Sequence, residues 1–359
     1  SRPPQAVAQR SALTAGGFKT PPLSPWEPQR WESGSRPRRA RLRHQLPALR
    51  SLGREACSRW RNMQYVEPLP IERAGDPDTV WFPLQIHSAL ANTVEDISAN
   101  VELNLKRDYI PFNELIGKSQ GAVAIVGSGP SLKENWRGLK RFKGDILACN
   151  AAAQFLLERG VVPKYMMCFD ADPLMLEFVT PHPEITYLLA SRCPPKAFDM
   201  LEGCRIVCWH AAGDERISEL LTKHGKAEPM VVGGRAAVTR AMILVLPMGY
   251  TSVHLWGADS SFLNGHTHIR HSTTEERRMA ILLNKRTFST APWMCSQAED
   301  FKALAPKFSQ LHGIEYIVHG DGLIPHLAMT MGFETDLEPK LKFLARSWGA
   351  RAKALWTQL

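Results

Sequence analysis

The sequence predicts an α/β fold: a Rossmann-like, doubly wound, mostly parallel sheet with helical appendages at its N-terminal and C-terminal ends. Short runs of almost wholly apolar residues alternate with amphipathic stretches from Gly121 onward. A glycine-containing turn follows the first of these runs, and polar residues follow most of the later ones. Strands that are apolar on both faces are typical of a parallel sheet covered by helices, because both faces are then buried.

Strands and helices alternate in order along the chain. We expect strands at 122–126, 145–149, 165–169, 186–190, 204–209, 230–232, 252–256 and 314–318. The periodicity predicts intervening helices at 131–140, 151–159, 173–179, 195–201, 214–224, 235–248 and 296–312. A helix at 84–105 precedes this series and a helix near 338–357 ends it, and these two are the predicted appendages.

Composition divides the chain into four segments. Residues 1–62 form an Arg/Pro-rich leader that cannot bury enough apolar surface to fold. Residues 63–120 combine an extended segment with a helix, residues 121–330 form the predicted catalytic domain, and residues 331–359 carry the last helix. Ordinary composition begins at Met63, so we expect translation to start there; a functional basic arm is the alternative for the leader.

The positive charge of the chain lies in the leader. Residues 1–62 carry twelve Arg and one Lys against three Glu, a net charge of +10, so the remainder carries −1 of the total of +9. A near-neutral body lacks the basic surface that nucleic-acid binding requires. We therefore expect no nucleic-acid partner for the folded body.

Cysteine spacing and hydropathy indicate the compartment. The seven cysteines include no Cys-x-x-Cys pair, and their odd number argues against a disulfide framework. We interpret this as a protein of a reducing compartment, with a cytoplasmic location. No apolar run approaches the roughly 18 residues that span a bilayer, so we expect no membrane span.

The stretch 122–132, AVAIVGSGPSL, carries the strongest local signal. A buried strand that runs into a glycine turn and a capped helix start can bind phosphate through backbone N–H groups, because glycine has no Cβ to hold the anion away. A plain tight turn between strand and helix explains the same pattern equally well. Under the first interpretation the phosphate-binding residues are Gly127, Ser128, Gly129, Pro130 and Ser131.

Polar residues also follow the next two strands. Asn150 opens a helix, where an N-cap is the favoured role and contact with a base or ribose is the alternative. Asp170 and Asp172 could hold a divalent ion such as Mg²⁺ that bridges a diphosphate, since hard cations prefer carboxylate oxygens. Asp172 precedes Pro173 and is an equally good helix cap.

Two further strand ends carry glycines beside charged residues. Gly233, Gly234 and Arg235 form a second glycine turn with a cation at a helix start, which suits a phosphate or carboxylate; a loop with a solvated arginine is the alternative. Gly320 and Asp321 follow the last strand and are expected at the same edge of the sheet. That edge is where doubly wound folds bind ligands.

The segment from Asp259 to His271 is rich in histidine. His266 and His268 would share a face if they lay in a strand, which also suits a metal. Histidine is the side chain best suited to proton transfer near neutral pH. We favour a catalytic role over a solvated loop, and the choice among the histidines stays open.

Four sequence motifs occur in the order found in the MptE-like family, which the chain resembles over residues 121–325. They are VGSGPSL at 126–132, C-N-A-A at 149–152, L-x-x-x-G-V-V-P-K-Y at 156–165 and F-D-A-D-P at 169–173. The family includes archaeal 6-hydroxymethylpterin diphosphokinases and the bacterial motility accessory factor (Maf) proteins. Residues 233–262 are similar to the Maf continuation, although the long flanking regions of Maf proteins are missing.

The resemblance implies a nucleotide-dependent transferase. Maf proteins are similar to sialyltransferases, so the leading expectation is a glycosyltransferase that uses a CMP-activated acidic sugar. Gly127, Gly129 and Ser131 would then hold the donor phosphate, and Asn150 would contact the nucleoside. Gly234 and Arg235 would contact the phosphate or the sugar carboxylate. Asp259, together with His266 or His268, would orient or deprotonate the acceptor hydroxyl.

Two alternatives remain open. A pterin diphosphokinase would use ATP as donor, with Mg²⁺ held by Asp170 and Asp172. A nucleotide-binding accessory protein would keep the fold without the chemistry. The acceptor, whether a glycan, a protein hydroxyl or a pterin, is not specified by these motifs.

Overall fold

A computed structural model describes residues 92–212, 215–226, 228–269, 278–283 and 286–337. The predicted leader, the expected start at Met63, the helix near 338–357 and His271 lie outside these residues.

Ten parallel strands of the described chain form one sheet, and two more form an antiparallel pair. The sheet has the order β1-β6-β5-β4-β3-β2-β8-β11-β12, with β7 paired to β6. Its strands are β1 (Ile110–Pro111), β2 (Ala122–Val126), β3 (Asp145–Cys149), β4 (Tyr165–Cys168), β5 (Thr186–Ala190), β6 (Arg205–Ala211), β7 (Met230–Val231), β8 (Ser252–Trp256), β11 (Glu315–Val318) and β12 (Glu334–Thr335). The antiparallel pair is β9 (Met279–Leu283) and β10 (Arg286–Thr290). The predicted α/β fold class is confirmed.

The helices connect successive strands and cover the sheet. They are α1 (Val94–Asn104), α2 (Leu132–Asn135), α3 (Ala151–Leu157), α4 (Pro195–Met200), α5 (Glu215–Lys223), α6 (Ala237–Met248), α7 (Pro292–His312) and α8 (Leu323–Thr330). The central strands are buried because they are apolar on both faces; Val123 to Val126 of β2 have no exposed surface.

The winding direction of the sheet reverses at β2. Strands β3, β4, β5 and β6 follow outward on one side of β2, whereas β8 and then β11 lie on the other. The loops after β2 and β8 therefore leave the sheet at a topological switch point, where open α/β sheets form a ligand crevice.

Several predicted elements differ in detail. The helix predicted at 131–140 is a four-residue α-helix followed by a 3-10 helix at Trp136–Arg141, and the one at 173–179 is a 3-10 helix at Pro173–Phe178. The β9–β10 hairpin and α8 were not predicted, because short apolar runs give no periodicity that separates strand from helix.

Helix α1 packs on the sheet domain through a small apolar cluster with α5. Ile97 and Val101 of α1 are buried with Ile217 and Leu221 of α5. The buried Asn104 amide donates to the carbonyl oxygens of Ser191, at 2.9 Å, and Cys193, at 2.8 Å, so α1 is also tied to the loop after β5.

No helix among the described residues is both long and apolar enough to cross a membrane. The six described cysteines are free thiols.

Candidate functional site

The loops after β2 and β8 interlock at the switch point. The Gly127 N–H donates to the carbonyl oxygen of Trp256 at 2.8 Å, and the Gly129 N–H donates to that of Gly257 at 2.8 Å. A Cβ atom at either Gly127 or Gly129 would lie 2.6 Å from the Gly257 carbonyl oxygen. Close approach of the second loop therefore explains both glycines without a ligand.

Asp259 completes this contact from the loop after β8. Its side chain is buried and accepts two hydrogen bonds from Ser131, one from the backbone N–H at 2.7 Å and one from the hydroxyl at 2.6 Å. Burial raises the pKa of Asp259 to about 7, against the opposing effect of the two hydrogen bonds. Both carboxyl oxygens are engaged inside the protein, which corrects the expectation that Asp259 faces the acceptor.

The same contacts correct the expected phosphate cradle. The N–H groups of Gly127, Gly129 and Ser131 are all bound to protein oxygens, and Pro130 has no N–H to offer. Helix α2 has only four residues, so its dipole is small. Ser128 is the residue of this turn whose backbone N–H makes no hydrogen bond with the described part of the chain.

The loop that carries His268 is attached directly to this turn. The Ile269 N–H donates to the Ser128 carbonyl oxygen at 2.8 Å, which places His268 next to a residue bound to the glycine turn. The His268 ring stacks on Trp293, with centroids 5.5 Å apart and planes at 7°, and its Nδ1 lies 3.0 Å from the Thr267 hydroxyl oxygen. These contacts hold the imidazole in one orientation.

His266 occupies a different environment. It is exposed at the end of a tight turn in which Leu263 and His266 exchange two backbone hydrogen bonds of 3.0 Å. Asn264 and Gly265 have φ values of 51° and 81°, as two-residue turns of this kind require. The expectation that His266 and His268 share the face of a strand is therefore wrong.

Asn150 lies at the end of β3 in a strained conformation. Its φ of 48° and ψ of −125° are unusual for any residue other than glycine, and its side chain makes no capping hydrogen bond. The Asn150 Oδ1 atom is buried and has no partner among the described residues. Asn150 occupies the predicted N-cap position, but its side chain does not cap the helix, and the amide oxygen is left to accept a hydrogen bond.

Asp170 lies at the end of β4, beside Asn150. Its side chain is open to solvent, but surrounding protein raises its pKa, while the charge of Arg192 and a hydrogen bond from Asn150 act in the opposite direction. An accessible carboxylate with protein around it is typical of a cleft. Asn150 and Asp170 are thus brought together, as expected of residues that follow neighbouring parallel strands.

Asp172 is a helix cap. Its carboxylate accepts the Leu174 N–H at 2.8 Å, and Pro173 follows at the first helical position. Within the described ranges, no group of three or more His, Cys, Asp or Glu side chains could hold a metal ion. The cap interpretation of Asp172 is confirmed, and the two-carboxylate metal site loses one of its ligands.

Arg235, the cation of the second glycine turn, forms an ion pair within the protein. Gly233 and Gly234 have φ values of 87° and 75°, and a Cβ on Gly234 would meet the backbone of Arg240 at 2.7 Å. The guanidinium of Arg235 binds Asp300 of α7 at 2.8 and 2.9 Å. The expectation that Arg235 faces a phosphate or carboxylate is corrected, because Asp300 neutralises it.

Asp321 belongs to a similar internal cluster. Arg286 donates to both Asp321 oxygens, at 2.8 and 3.1 Å, and His326 lies 3.2 Å from one of them. Burial raises the pKa of Asp321, but the hydrogen bonds from His326 and Arg286 outweigh it and hold the pKa below its ordinary value. Gly320, with φ of 105°, lies close to the Ser131 side chain, and the half-buried Asp321 carboxylate is engaged by Arg286 and His326.

Two arginines that the sequence reasoning missed lie at this edge. Arg192 lies two residues after the end of β5, and Arg240 lies in α6 with 6% of its surface exposed. Each guanidinium carbon lies 4.8 Å from the centroid of the Phe169 ring, at the end of β4. The strand-end rule that found Asp170 could have found Arg192, whereas nothing in the helix sequence distinguishes Arg240.

The fold and the position of the polar residues define a doubly wound α/β protein with its candidate site at the switch point. The family model described as 6-hydroxymethylpterin diphosphokinase MptE-like matches residues 96–265. The match includes the residues that carry the four motifs, so the resemblance to the MptE-like family is confirmed.

Two solved structures are similar to this chain. A MAf glycosyltransferase from Magnetospirillum magneticum AMB-1 matches with a TM-score of 0.50 and 16% identity, over 64% of this chain and 37% of that one. This chain therefore spans well under half the length of that protein. A mammalian sialyltransferase solved with Gal-beta-1-3GalNAc-ortho-nitrophenol matches with a TM-score of 0.32 and 11% identity, over 63% of this chain and 79% of that one. A comparison with curated proteins returned no significant match.

Proposed function

We propose that this protein is a glycosyltransferase that transfers an acidic sugar from a CMP-activated donor to an acceptor hydroxyl, with His268 as the general base. The observation that carries the proposal is the hydrogen bond from Ile269 to Ser128, because it joins the His268 loop to the glycine turn at the switch point. A base and a phosphate contact within one crevice are the minimum that such a transfer needs.

The surroundings of His268 support its role as base. When Nδ1 donates its proton to the Thr267 hydroxyl oxygen, Nε2 is the nitrogen that accepts a proton. Stacking on Trp293 restrains the ring, so little orientation is lost when the acceptor binds.

The donor would lie along the carboxyl ends of β2, β3 and β4. Ser128 would contact the phosphate through its free N–H, and the Asn150 amide oxygen would accept from the base or from a ribose hydroxyl. Neighbouring strands are about 4.8 Å apart, so these strand ends span roughly 10 Å, the scale of a nucleoside monophosphate.

The transfer proceeds by direct displacement. The acceptor oxygen attacks the anomeric carbon and its proton passes to Nε2 of His268. The bond between the anomeric carbon and the phosphate oxygen breaks, and its electron pair leaves with CMP. The Ser128 N–H, already in place beside the departing phosphate, would lower the barrier, since it needs no reorganisation.

Release of CMP from CMP-N-acetylneuraminate, measured by chromatography with a panel of hydroxyl acceptors, tests this function. His268→Ala should lower the rate by about 100-fold or more, the usual contribution of a positioned base. His266→Ala is the matched control and should retain the wild-type rate, because His266 is exposed in a turn. Full activity of His268→Ala would contradict the assignment, and binding of CMP without turnover would indicate an accessory protein.

A diphosphokinase is the second candidate, and the description of the matching family model favours it. ATP with Mg²⁺ would then bind at the same edge, with Asp170 as the available carboxylate. A thermal-shift panel of CMP, CDP, ATP and GTP, each with and without Mg²⁺, separates the two. Stabilisation by ATP only when Mg²⁺ is present, with none by CMP, would favour the diphosphokinase.

A further inference from the structure

Two arginines surround the aromatic ring at the end of β4. The guanidinium carbons of Arg192 and Arg240 each lie 4.8 Å from the centroid of Phe169, within cation–π distance. The ring also stacks on Trp209 of β6, with centroids 5.7 Å apart and planes at 13°. The ring system thus holds two like charges close together at the carboxyl edge of the sheet.

The positive charge of this pair is incompletely matched by protein groups. Arg240 is 6% exposed, and one of its terminal nitrogens donates to the Val231 carbonyl oxygen at 2.7 Å. Asp300 influences Arg240 but is already bound to Arg235, and Asp170 is the acid that faces Arg192. Burial lowers the pKa of Arg240 to about 10, with a further contribution from the charge of Arg192.

Both arginines also keep an unused hydrogen-bond donor. The Nε atoms of Arg192 and Arg240 are buried and have no partner in the described part of the chain. A buried donor without an acceptor is costly, and a guanidinium presents its donors in a fork that matches carboxylate and phosphate oxygens. An oxyanion would satisfy both the charge and the donors.

We propose that Arg192 and Arg240 form an oxyanion subsite that takes a carboxylate or phosphate group of the bound ligand. It lies beyond Asn150 and Asp170 along the same edge, because β5 and β6 are the next strands of the sheet. This subsite replaces the anion contact first expected from Arg235. The subsite rests on the proposed function only for the identity of the ligand, an acidic sugar donor. Binding of an oxyanion by the arginines does not depend on that function.

Thermal shifts of the full chain test the subsite with four probes. N-acetylneuraminate supplies a carboxylate, its methyl ester is the uncharged match, pyrophosphate supplies phosphate, and CMP reports the nucleotide site. Arg192→Gln and Arg240→Gln each remove one cation of the pair. Arg159→Gln is the matched control, because its guanidinium carbon also lies over a phenylalanine, 3.4 Å from the Phe155 centroid, but away from this edge.

We expect N-acetylneuraminate or pyrophosphate, but not the methyl ester, to stabilise the wild type and Arg159→Gln. The anion Kd from titration calorimetry should rise on the order of tenfold in Arg192→Gln and in Arg240→Gln, since each loses a charge-assisted hydrogen bond. Arg192→Lys and Arg240→Lys keep the charge and should recover part of the affinity. The lysine variants also distinguish a loss of anion binding from a loss of folding. Circular dichroism checks that every variant is folded.

Two results would overturn the subsite: equal anion affinity in the wild type and both glutamine variants, or no binding of either anion to the wild type. An anion response that needs the arginines, in a protein that does not bind CMP, would leave the subsite standing and refute the proposed donor. Dependence on the arginines for pyrophosphate alone would identify the anion as a phosphate.

Discussion

Asp259 and Ser131 bind each other across the switch point of the sheet, and their two hydrogen bonds of 2.7 and 2.6 Å join the loops after β8 and β2. Asp259 thereby takes the position at the start of α2 where the glycine turn suggested a phosphate. The carboxyl group is a structural substitute for that anion. The residues that remain as candidates to contact a ligand are therefore Ser128, His268 and Asn150.

Removal of the Asp259 carboxyl should destabilise the protein. Asp259→Ala leaves the buried Ser131 N–H without an acceptor, and an unsatisfied buried group costs about 1–3 kcal/mol. Asp259→Asn keeps the shape and one acceptor oxygen, so its loss should be smaller. Urea unfolding measures both, and equal stability of Asp259→Ala and wild type would contradict the role of this contact.

The pH dependence of stability follows from the raised pKa of Asp259, about 7 in the folded protein against an ordinary 3.8. Between these values the folded state holds a proton that the unfolded state has lost, so this group makes stability fall as pH rises from about 4 to 7. Asp259→Asn cannot ionise. The free energy of unfolding of the wild type should therefore fall relative to that of Asp259→Asn between pH 4 and 7, and the difference should be constant above pH 7. A difference that stays constant from pH 4 to 8 would contradict the raised pKa of Asp259.

Glycine at 129 is required by space and not by backbone conformation. A Cβ there would lie 2.6 Å from the Gly257 carbonyl oxygen and 2.7 Å from the Asp259 carboxylate. Gly129→Ala should cost about 3 kcal/mol, at the upper end of overpacking. Gly160→Ala is the control, with φ of 67° and no atom within 4 Å, and it should cost only about 1 kcal/mol of backbone strain. A larger loss in Gly160→Ala, measured by urea unfolding, would contradict this ranking.

Asn150 is expected to lower the stability of the fold while it contributes to CMP binding. Its positive φ is strained for asparagine, so Asn150→Gly should stabilise the fold by about 1 kcal/mol in thermal unfolding. The same variant lacks the buried amide oxygen and should bind CMP about tenfold more weakly by calorimetry. A variant that loses stability while keeping its CMP affinity would show that Asn150 has a structural role instead.

Arg235 should matter for stability and not for ligand binding. Arg235→Ala leaves Asp300 without its ion pair, which should cost about 1 kcal/mol because Arg235 itself is half exposed. Affinity for CMP and for N-acetylneuraminate should stay within twofold of wild type. A strong loss of affinity in calorimetry would restore the anion role that the motif suggested.

The elements with regular patterns were predictable from the sequence. β2, β3 and β5 occupy the ranges that their apolar runs predicted, because a strand buried on both faces must be apolar throughout. The strand-end rule also selected Asn150 and Asp170, which the structure brings together. It failed for Arg240, since a cation within a helix has no local signal of what its side chain meets.

Turn chemistry was the least predictable part. Gly127 and Gly129 are as well explained by packing as by a phosphate, and the local sequence is the same in both cases. His266 and His268 are two residues apart in the sequence, yet His266 is exposed in a tight turn and His268 is stacked on Trp293. These outcomes depend on partners far away in the chain.

The fold class, the order of the strands along the chain, the edge of the sheet where polar residues gather and the family resemblance could all be predicted from the sequence. Apolar periodicity and strand ends are local properties, so they can be recognised without coordinates. Which of those polar residues bind each other became known from the folded arrangement: Asp259 with Ser131, Arg235 with Asp300 and Asp321 with Arg286. Each of these pairs joins segments that are distant in sequence, and whether a charged group is neutralised inside the protein depends on the partner that the fold brings to it.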